Sequence, residues 1–234
     1  MPAKLIGKKA FTLIELLVVL AVMGLMMGVV GFSLLGDGGA ELGSSQRNFI
    51  GILQQARIKA VSSGLTSRII IHAEDTVDDR FHRYFEVILR DPNATDSWIV
   101  ENDGVFLEEG VYFVPQNPTA SKRPNDWPSD AFCIWSQELG EEFKLEDSFK
   151  GVRKEGEGTA FKYLEFDSSG NLICPSSGGS GVQQIPRIVI ANGSPNPIDP
   201  SVPLQFDSAN SMGGILLNRF GGFSFMEKTD FILP

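Results

Sequence analysis

Side chains capable of chemistry are sparse in this sequence, and their densest grouping follows residue 71. It combines two imidazoles with four carboxylates: His72, Glu74, Asp75, Asp78, Asp79 and His82. Such groups bind divalent cations, but this spacing corresponds to no recognised metal-binding motif. A solvated acidic loop between two strands is the simpler interpretation, so we predict no metal and no cofactor.

Signatures of enzymatic catalysis are also missing from the sequence. It contains no Gly-x-Ser-x-Gly elbow, no phosphate-binding loop and no His-Glu-x-x-His motif. Serine and histidine residues occur, but no spacing links them into a catalytic set. We therefore predict that the chain is not an enzyme.

The charge of the chain is unevenly distributed. Its net charge is −9, and Lys4, Lys8 and Lys9 all precede the first hydrophobic segment. Without residues 1–10 three positive charges are lost, which takes −9 to −12. An acidic body repels phosphate backbones, so nucleic acid is an unfavoured partner. Local basic patches remain open, and their candidate residues are Lys122, Arg123, Lys150, Arg153 and Lys154.

Two cysteines, Cys133 and Cys174, are far apart in the sequence. In an exported domain they could form one disulfide, whereas in a reducing compartment they would be free thiols. Both lie in apolar surroundings, so two buried thiols and one disulfide stay open as alternatives. No Cys-x-x-Cys pair occurs, which argues against a zinc site.

A hydrophobic segment begins just after Glu15. The 17 residues from Leu16 to Phe32 are all apolar or glycine, and about twenty helical residues cross a bilayer. The lysines before it predict a cytoplasmic N-terminus and an exported body. No small-x-small cleavage site follows Leu35, as an ordinary signal peptide would require. A plain membrane anchor leaves the carboxylate of Glu15 unexplained, because such a group needs a partner in apolar surroundings.

The residues around Glu15, KKAFTLIELLVVLAV, resemble the cleavage and methylation signal of type IV prepilins and type II secretion pseudopilins. The resemblance implies that a prepilin peptidase cuts between Ala10 and Phe11 and that the new terminus, Phe11, is N-methylated. It also implies that Glu15 serves filament assembly. The sequence departs from the family in one place, since Ala10 stands where glycine is usual.

Electrostatics supports this role for Glu15. Cleavage would create a cationic amine at Phe11, and an amine and a carboxylate from neighbouring chains neutralise each other in a low-dielectric helical bundle. Such a pair favours one axial register of the subunits over others. The partners implied are therefore the peptidase and methyltransferase, other pilin or pseudopilin subunits, the inner membrane and an assembly platform.

The rest of the chain predicts a helix followed by strands. Apolar residues recur at steps of three and four in the segment that ends at Gly64, which predicts an amphipathic helix: Leu42, Phe49, Ile52, Leu53, Ala56, Ala60 and Val61. Strands are predicted at Ser67–His72, Tyr84–Arg90, Trp98–Glu101, Val111–Val114, Phe161–Phe166, Arg187–Ala191 and Gly214–Leu217. The stretches 115–130 and 175–203 are rich in Pro, Ser, Asn and Gly, and they are predicted to be long loops.

The order of these fragments is similar to that of GspH/FimT-like minor pilins. The family typically shows a strand ending in Phe, then an acidic or polar pair, then Gly, and Phe166, Asp167 and Gly170 match this pattern loosely. The resemblance covers most of residues 45–195. Residues 115–160 and the tail after Asn196 fit it poorly.

Together these features predict an α+β pilin fold, in which a long N-terminal helix packs on a mainly antiparallel sheet. The predicted divisions are a basic leader (1–10), a transmembrane or filament-core helix (11–35), an amphipathic helix (36–64) and a periplasmic β-rich domain (65–234). We expect a minor structural subunit that crosses the inner membrane once and joins a cell-surface or periplasmic filament. Two alternatives stay open: a FimT-like DNA-uptake pilin, and an anchored periplasmic domain that does not polymerise.

Overall fold

The computed structural model describes residues 14, 16–17, 39–74, 79–101, 103–138, 140–146, 151–175 and 183–231. The chain divides into two compact units, residues 1–37 and 38–234. In the first unit, Ile14, Leu16 and Leu17 are helical and exposed. The second unit is an α+β body, whose described residues form one α-helix and 13 strands.

The elements of the body follow in this order. Helix α1 is Gly39–Ser63. Strands β1 to β7 are Ser67–His72, Tyr84–Arg90, Ser97–Val100, Val105–Phe106, Val111–Phe113, Ser121–Lys122 and Phe143–Glu146. Strands β8 to β13 are Val152–Glu155, Thr159–Phe166, Arg187–Pro195, Leu204–Phe206, Met212–Leu217 and Phe223–Met226. Two short 3-10 helices are Pro118–Ala120 and Lys228–Asp230.

Helix α1 presents one apolar face to the body. Its buried apolar residues recur at helical spacing: Leu42, Phe49, Ile50, Leu53, Ala56 and Ala60. The helix ends because Gly64 adopts a φ of 70° and donates its N–H to the carbonyl of Ala60 at 2.9 Å, a common helix C-cap. The prediction that Val61 belongs to the buried face is wrong. Its side chain is 54% exposed, because it lies at the margin of the face.

Six strands close into an antiparallel barrel. Hydrogen-bonded neighbours follow the order β1-β9-β7-β8-β3-β2, and β2 pairs again with β1, so the ring of strands is complete. The short strand β4 adds to β2 outside this ring. Seven buried side chains of alternating strand positions fill the interior of the barrel: Ile70, Ile88, Trp98, Phe143, Leu145, Phe161 and Tyr163.

A second sheet packs beside the barrel. Its order is β13-β12-β10-β11-β6, and β5 pairs with β10. The pair of β11 and β6 is parallel, while the other described pairs are antiparallel. The main hydrophobic core lies between this sheet, helix α1 and the outer face of the barrel. Strand β1 therefore has two apolar faces: Ile69 and Ile71 join the main core, and Ile70 lies in the barrel.

Three phenylalanines connect the layers at the centre of the main core. Phe49 of α1 makes edge contacts with Phe85 of β2, at 5.3 Å between ring centroids, and with Phe113 of β5, at 5.2 Å. Phe85 and Phe113 also contact each other at 5.7 Å. All three rings are fully buried. One aromatic cluster thus joins the helix, the barrel and the second sheet.

The sequence-based strand predictions are confirmed in position, and the loop predictions need correction. Each of the seven predicted strands overlaps an observed one. The predicted loop 115–130 contains a 3-10 helix and β6, and the predicted loop 175–203 contains β10, which runs to Pro195. Strands β4, β7, β8, β11 and β13, of two to four residues each, were not predicted.

We predict that Phe49→Ala destabilises the body by about 3–5 kcal/mol, because it removes a large buried ring and leaves a cavity between three layers. Ile58→Ala is the control on the same helix, since Ile58 is 65% exposed, and should change stability by less than about 0.5 kcal/mol. Urea denaturation of a fragment beginning at residue 38 measures both changes. Equal effects of the two substitutions would show that α1 is not anchored through Phe49.

Candidate functional site

The residues predicted to be cleaved and methylated, and the residue predicted to serve filament assembly, lie at the N-terminus. Ala10, Phe11 and Glu15 are outside the described residues, so their roles stay predictions. Among the residues that the structure describes, no helix combines the length and the hydropathy needed to cross a bilayer. The predicted membrane segment, residues 11–35, falls almost entirely outside that part of the chain.

The body of the protein holds the C-terminal end of α1 through a tight turn after β9. Asp167 shapes this turn, because its carboxylate accepts hydrogen bonds from the N–H groups of Ser169, at 2.8 Å, and Asn171, at 2.9 Å. Burial alone would raise the pKa of Asp167, but these hydrogen bonds outweigh it, so the pKa lies below its ordinary value. The turn then presents the carbonyl of Gly170 to Arg57 of α1, whose Nε donates to it at 3.2 Å.

Gly170 is required at this position for two reasons. Its φ is 78°, a conformation that side chains other than glycine rarely adopt. A Cβ atom there would lie 2.7 Å from Cγ2 of Val61 on the helix. The sequence pattern of a Phe, an acidic residue and a Gly thus has a structural explanation: Phe166 is buried in the core, Asp167 forms the turn, and Gly170 permits close approach of the helix.

A second turn, next to the first, also lies against Arg57. Asn218 shapes it by accepting the N–H groups of Phe220, at 3.0 Å, and Gly222, at 2.8 Å, on its side-chain oxygen. Gly221 has a φ of 75°, and a Cβ there would lie 2.7 Å from Cδ and Nε of Arg57. Two glycine turns therefore lie against Arg57, an exposed residue near the C-terminal end of α1.

The basic residues considered for nucleic-acid binding are only partly available. Arg153 lies inside the barrel, where its guanidinium is 2.7 Å from the carboxylate of Glu86, a side chain that is 1% exposed. Arg123 is half-buried and donates to the carbonyl of Pro115 at 2.8 Å. Lys122 and Lys154 are exposed. The fifth candidate, Lys150, lies outside the described residues.

The charged groups inside the barrel have no signature in the sequence. Besides Glu86 and Arg153, the barrel holds Arg68, whose guanidinium carbon lies 4.0–4.6 Å from the ring centroids of Trp98, Phe143 and Tyr163. The Nε of Arg68 donates to Glu165 at 2.6 Å. The alternation of β9 could have suggested that Glu165 shares a face with Tyr163. No local signal identifies the partner of Glu86, because that pairing depends on the register of distant strands.

The hydroxyl of Tyr84 completes the environment of Glu86. It donates to the carboxylate at 3.0 Å. Burial, reinforced by the negative charge of Glu86, raises the pKa of Tyr84 to about 12, so this hydroxyl stays protonated at neutral pH. Glu86 therefore has a cationic and a neutral hydrogen-bond partner inside the protein, as a buried carboxylate requires.

The sequence left a disulfide and two thiols open as alternatives, and in the structure both cysteines are free thiols. Cys133 is buried in the main core, with its Sγ 3.2 Å from the carbonyl of Val189 on β10. Burial raises the pKa of its thiol to about 12, which makes it unreactive. Cys174 is half-buried after β9, and burial raises the pKa of its thiol, although the charge of Arg219 acts in the opposite direction. Each thiol therefore belongs to a different environment.

The acidic and histidine residues after residue 71 do not converge on a ligand set in the described part of the chain. Asp75 and Asp78 are outside it. Among the described residues, no group of three or more His, Cys, Asp or Glu side chains is arranged to hold a metal ion. His72 and His82 are both buried, and the backbone N–H of His82 donates to the backbone carbonyl of His72 at 2.9 Å.

Comparison with known proteins identifies the N-terminal segment. Residues 7–31 match the family model described as the prokaryotic N-terminal methylation motif. The matched stretch includes Ala10, Phe11 and Glu15. No curated protein and no solved structure matches the chain. The match supports a protein similar to type IV pilins and pseudopilins, anchored in the membrane as a prepilin would be.

We predict that Arg153→Ala destabilises the body by about 3–5 kcal/mol, because it leaves the carboxylate of Glu86 buried without its cation. Lys154→Ala is the matched control on the same strand. Its side chain is exposed, so the change should be below about 0.5 kcal/mol. Urea denaturation of residues 38–234 measures both. Unchanged stability of Arg153→Ala would contradict the pairing with Glu86. It would also mean that Arg153 of the unchanged protein is free to make a surface contact.

Proposed function

We propose that this chain is a minor structural subunit of a type II secretion pseudopilus or a type IV pilus-like filament. In that role it supports protein secretion or pilus assembly. The observation that carries the proposal is the methylation motif at residues 7–31. The body adds a second argument, because an α-helix laid on an antiparallel β body is the arrangement expected of such subunits.

In the proposed maturation pathway, the protein is first inserted in the inner membrane, with the lysine-rich leader in the cytoplasm and the body in the periplasm. A prepilin peptidase removes residues 1–10, and the exposed amine of Phe11 is methylated. An assembly platform then moves the subunit from the membrane into the filament. There the amine of Phe11 and the carboxylate of Glu15 from neighbouring subunits neutralise each other, which sets the axial register.

The attachment of α1 to the body suits this role. A filament subunit transmits register from its N-terminal segment to its exposed body only if the helix that enters the body is firmly held. Phe49 anchors the middle of α1 in the core, and Arg57 contacts the turns at Gly170 and Gly221. Both contacts restrict rotation and sliding of the helix on the body.

DNA uptake is the less favoured role for such a filament subunit. It needs accessible basic side chains on the body, and the body is net acidic. Of the basic residues considered, Arg153 is bonded to Glu86 and Arg123 to a backbone carbonyl. We therefore do not propose nucleic acid as a partner.

We predict that Glu15→Ala and Glu15→Gln are inserted, cleaved and folded normally, yet fail to enter filaments. Both variants remove the charge that neutralises the amine of Phe11, and a buried unpaired ion costs about 3–5 kcal/mol. The measurement compares the subunit content of sheared filaments with that of the membrane fraction. Thermal unfolding of the body should match that of the unchanged protein.

Glu41→Ala is the control, since Glu41 lies in the first turn of α1 and is exposed. It should enter filaments at the unchanged level. Normal incorporation of Glu15→Ala would show that the proposed ion pair is dispensable. If the unchanged protein itself never enters filaments, the alternative of an anchored periplasmic domain that does not polymerise replaces our proposal.

A further inference from the structure

Strand β13 forms an open edge of the second sheet. It pairs with β12 on one side, and among the described residues no strand lies on its other side. The opposite edge of this sheet is better protected, because β6 has only two residues and is followed by Arg123 and Pro124. Charged residues and proline commonly protect sheet edges, but β13 reads Phe-Ser-Phe-Met and has neither. An edge of this kind is open to the addition of another strand.

The backbone groups of Phe223 and Phe225 point away from β12. The N–H of Asn218 donates to the carbonyl of Gly222 at 2.9 Å, where the hairpin begins. Hydrogen-bonded pairs of an antiparallel hairpin recur at every second residue, so in this register Ser224 also bonds to β12. The N–H and carbonyl groups of Phe223 and Phe225 face outward, and they have no partner among the described residues.

The side chains of β13 carry the main hydrophobic core to this edge. Phe223 and Phe225 lie across from Leu217 and Ile215, which are both buried in the core. The two phenylalanine rings contact each other at 6.1 Å between centroids. Phe225 is nevertheless 55% exposed, and Phe220 in the preceding turn is 73% exposed. A strand added at the edge would therefore cover apolar surface as well as satisfy the backbone.

The edge is complementary to itself. When two copies of β13 run antiparallel about a two-fold axis at Ser224, Phe223 of each copy lies opposite Phe225 of the other. Both residues carry outward backbone groups, so each such pair exchanges N–H···O bonds in both directions. The rings align in a row on the core side, and the two Ser224 side chains meet on the other side.

The charges at the two ends of the edge complement each other in this arrangement. The turn before β13 carries Arg219, and the segment after it carries Glu227 and Asp230, all exposed. Lys228 in that segment already pairs with Asp126 at 2.9 Å. Antiparallel pairing places the acidic end of each copy beside the basic turn of the other. The two-fold axis repeats this contact, which favours a second copy over an uncharged strand as the occupant.

We propose that two copies of this chain pair through their β13 edges, with the two-fold axis at Ser224, and form one continuous sheet across both bodies. A contact of one short edge is smaller than the interfaces of stable soluble dimers. We therefore expect it between membrane-anchored chains, whose effective concentration is high. The contact closes on itself and uses only residues of the body, so it holds whether or not the chain also polymerises.

The test is cross-linking of Ser224→Cys in a Cys174→Ser background, since Cys133 is buried. Opposed residues that are not hydrogen-bonded to each other have Cα atoms about 4.5 Å apart, which permits a disulfide. Inner-membrane vesicles that contain the full-length variant are oxidised with copper phenanthroline and analysed on a non-reducing gel. The control is Ser194→Cys, which is exposed on β10 of the same sheet. We expect at least about tenfold more disulfide dimer from Ser224→Cys.

A charge exchange tests the identity of the occupant. In the Ser224→Cys background, Arg219→Glu places like charges at both ends of the contact and should reduce the dimer by about tenfold. Adding Glu227→Arg to the same chain reverses both charges and should restore it. Failure of this rescue would overturn the proposed register. A disulfide formed mainly with a different protein would overturn the choice of a second copy.

Hydrogen exchange of the unchanged protein gives a measurement that needs no substitution. When the density of the protein in lipid vesicles is raised, the amides of Phe223 and Phe225 should exchange more slowly. The amide of Ser224 is the control, because it bonds to β12 in a single copy. Exchange of Phe223 and Phe225 that does not depend on density, or equal dimer from Ser224→Cys and Ser194→Cys, would overturn the proposal.

Discussion

The contact of Phe49 with Phe85 and Phe113 is the interaction on which the rest of the body depends. These three rings come from the helix, the barrel and the second sheet, and their centroids lie 5.2–5.7 Å apart. None of the three layers could bury its apolar face without the other two. Near the C-terminal end of α1, Arg57 adds a contact with the turns at Gly170 and Gly221.

Closure of the barrel follows from the same constraint. Strands β1 and β2 give one face to the main core, so their opposite face needs another cover. The short strands β3, β7 and β8 supply it by completing the ring from β9 back to β2. The enclosed volume accommodates charged groups as well as apolar ones, because Arg68 lies among aromatic rings and Arg153 neutralises Glu86.

Local patterns in the sequence predicted the elements that make the main core. The triple isoleucine of β1 predicted a strand, and the spacing of Phe49, Leu53 and Ala60 predicted the buried face of α1. The closure of the barrel could not be predicted in this way. Strand β8 reads Val-Arg-Lys-Glu, a sequence with no apolar alternation, and its pairing with Trp98 is set by distant register.

The functional residues show the same difference between features with a local sequence pattern and features set by the fold. The methylation motif is a contiguous sequence signal, so Ala10, Phe11 and Glu15 could be identified from the residues alone. The buried pair of Glu86 and Arg153 is assembled from strands that are distant in the sequence. Neither residue carries a local signal of the other, and only closure of the barrel brings β2 and β8 to a common interior.

A processed filament subunit differs from an uncut membrane protein at its mature N-terminus, which mass spectrometry identifies. The protein is extracted from membranes that contain the peptidase, digested, and its N-terminal peptide is sequenced. We expect a peptide that begins at N-methylated Phe11. A peptide that retains residues 1–10, or a terminus that follows Leu35, would show that the chain is not processed as a prepilin.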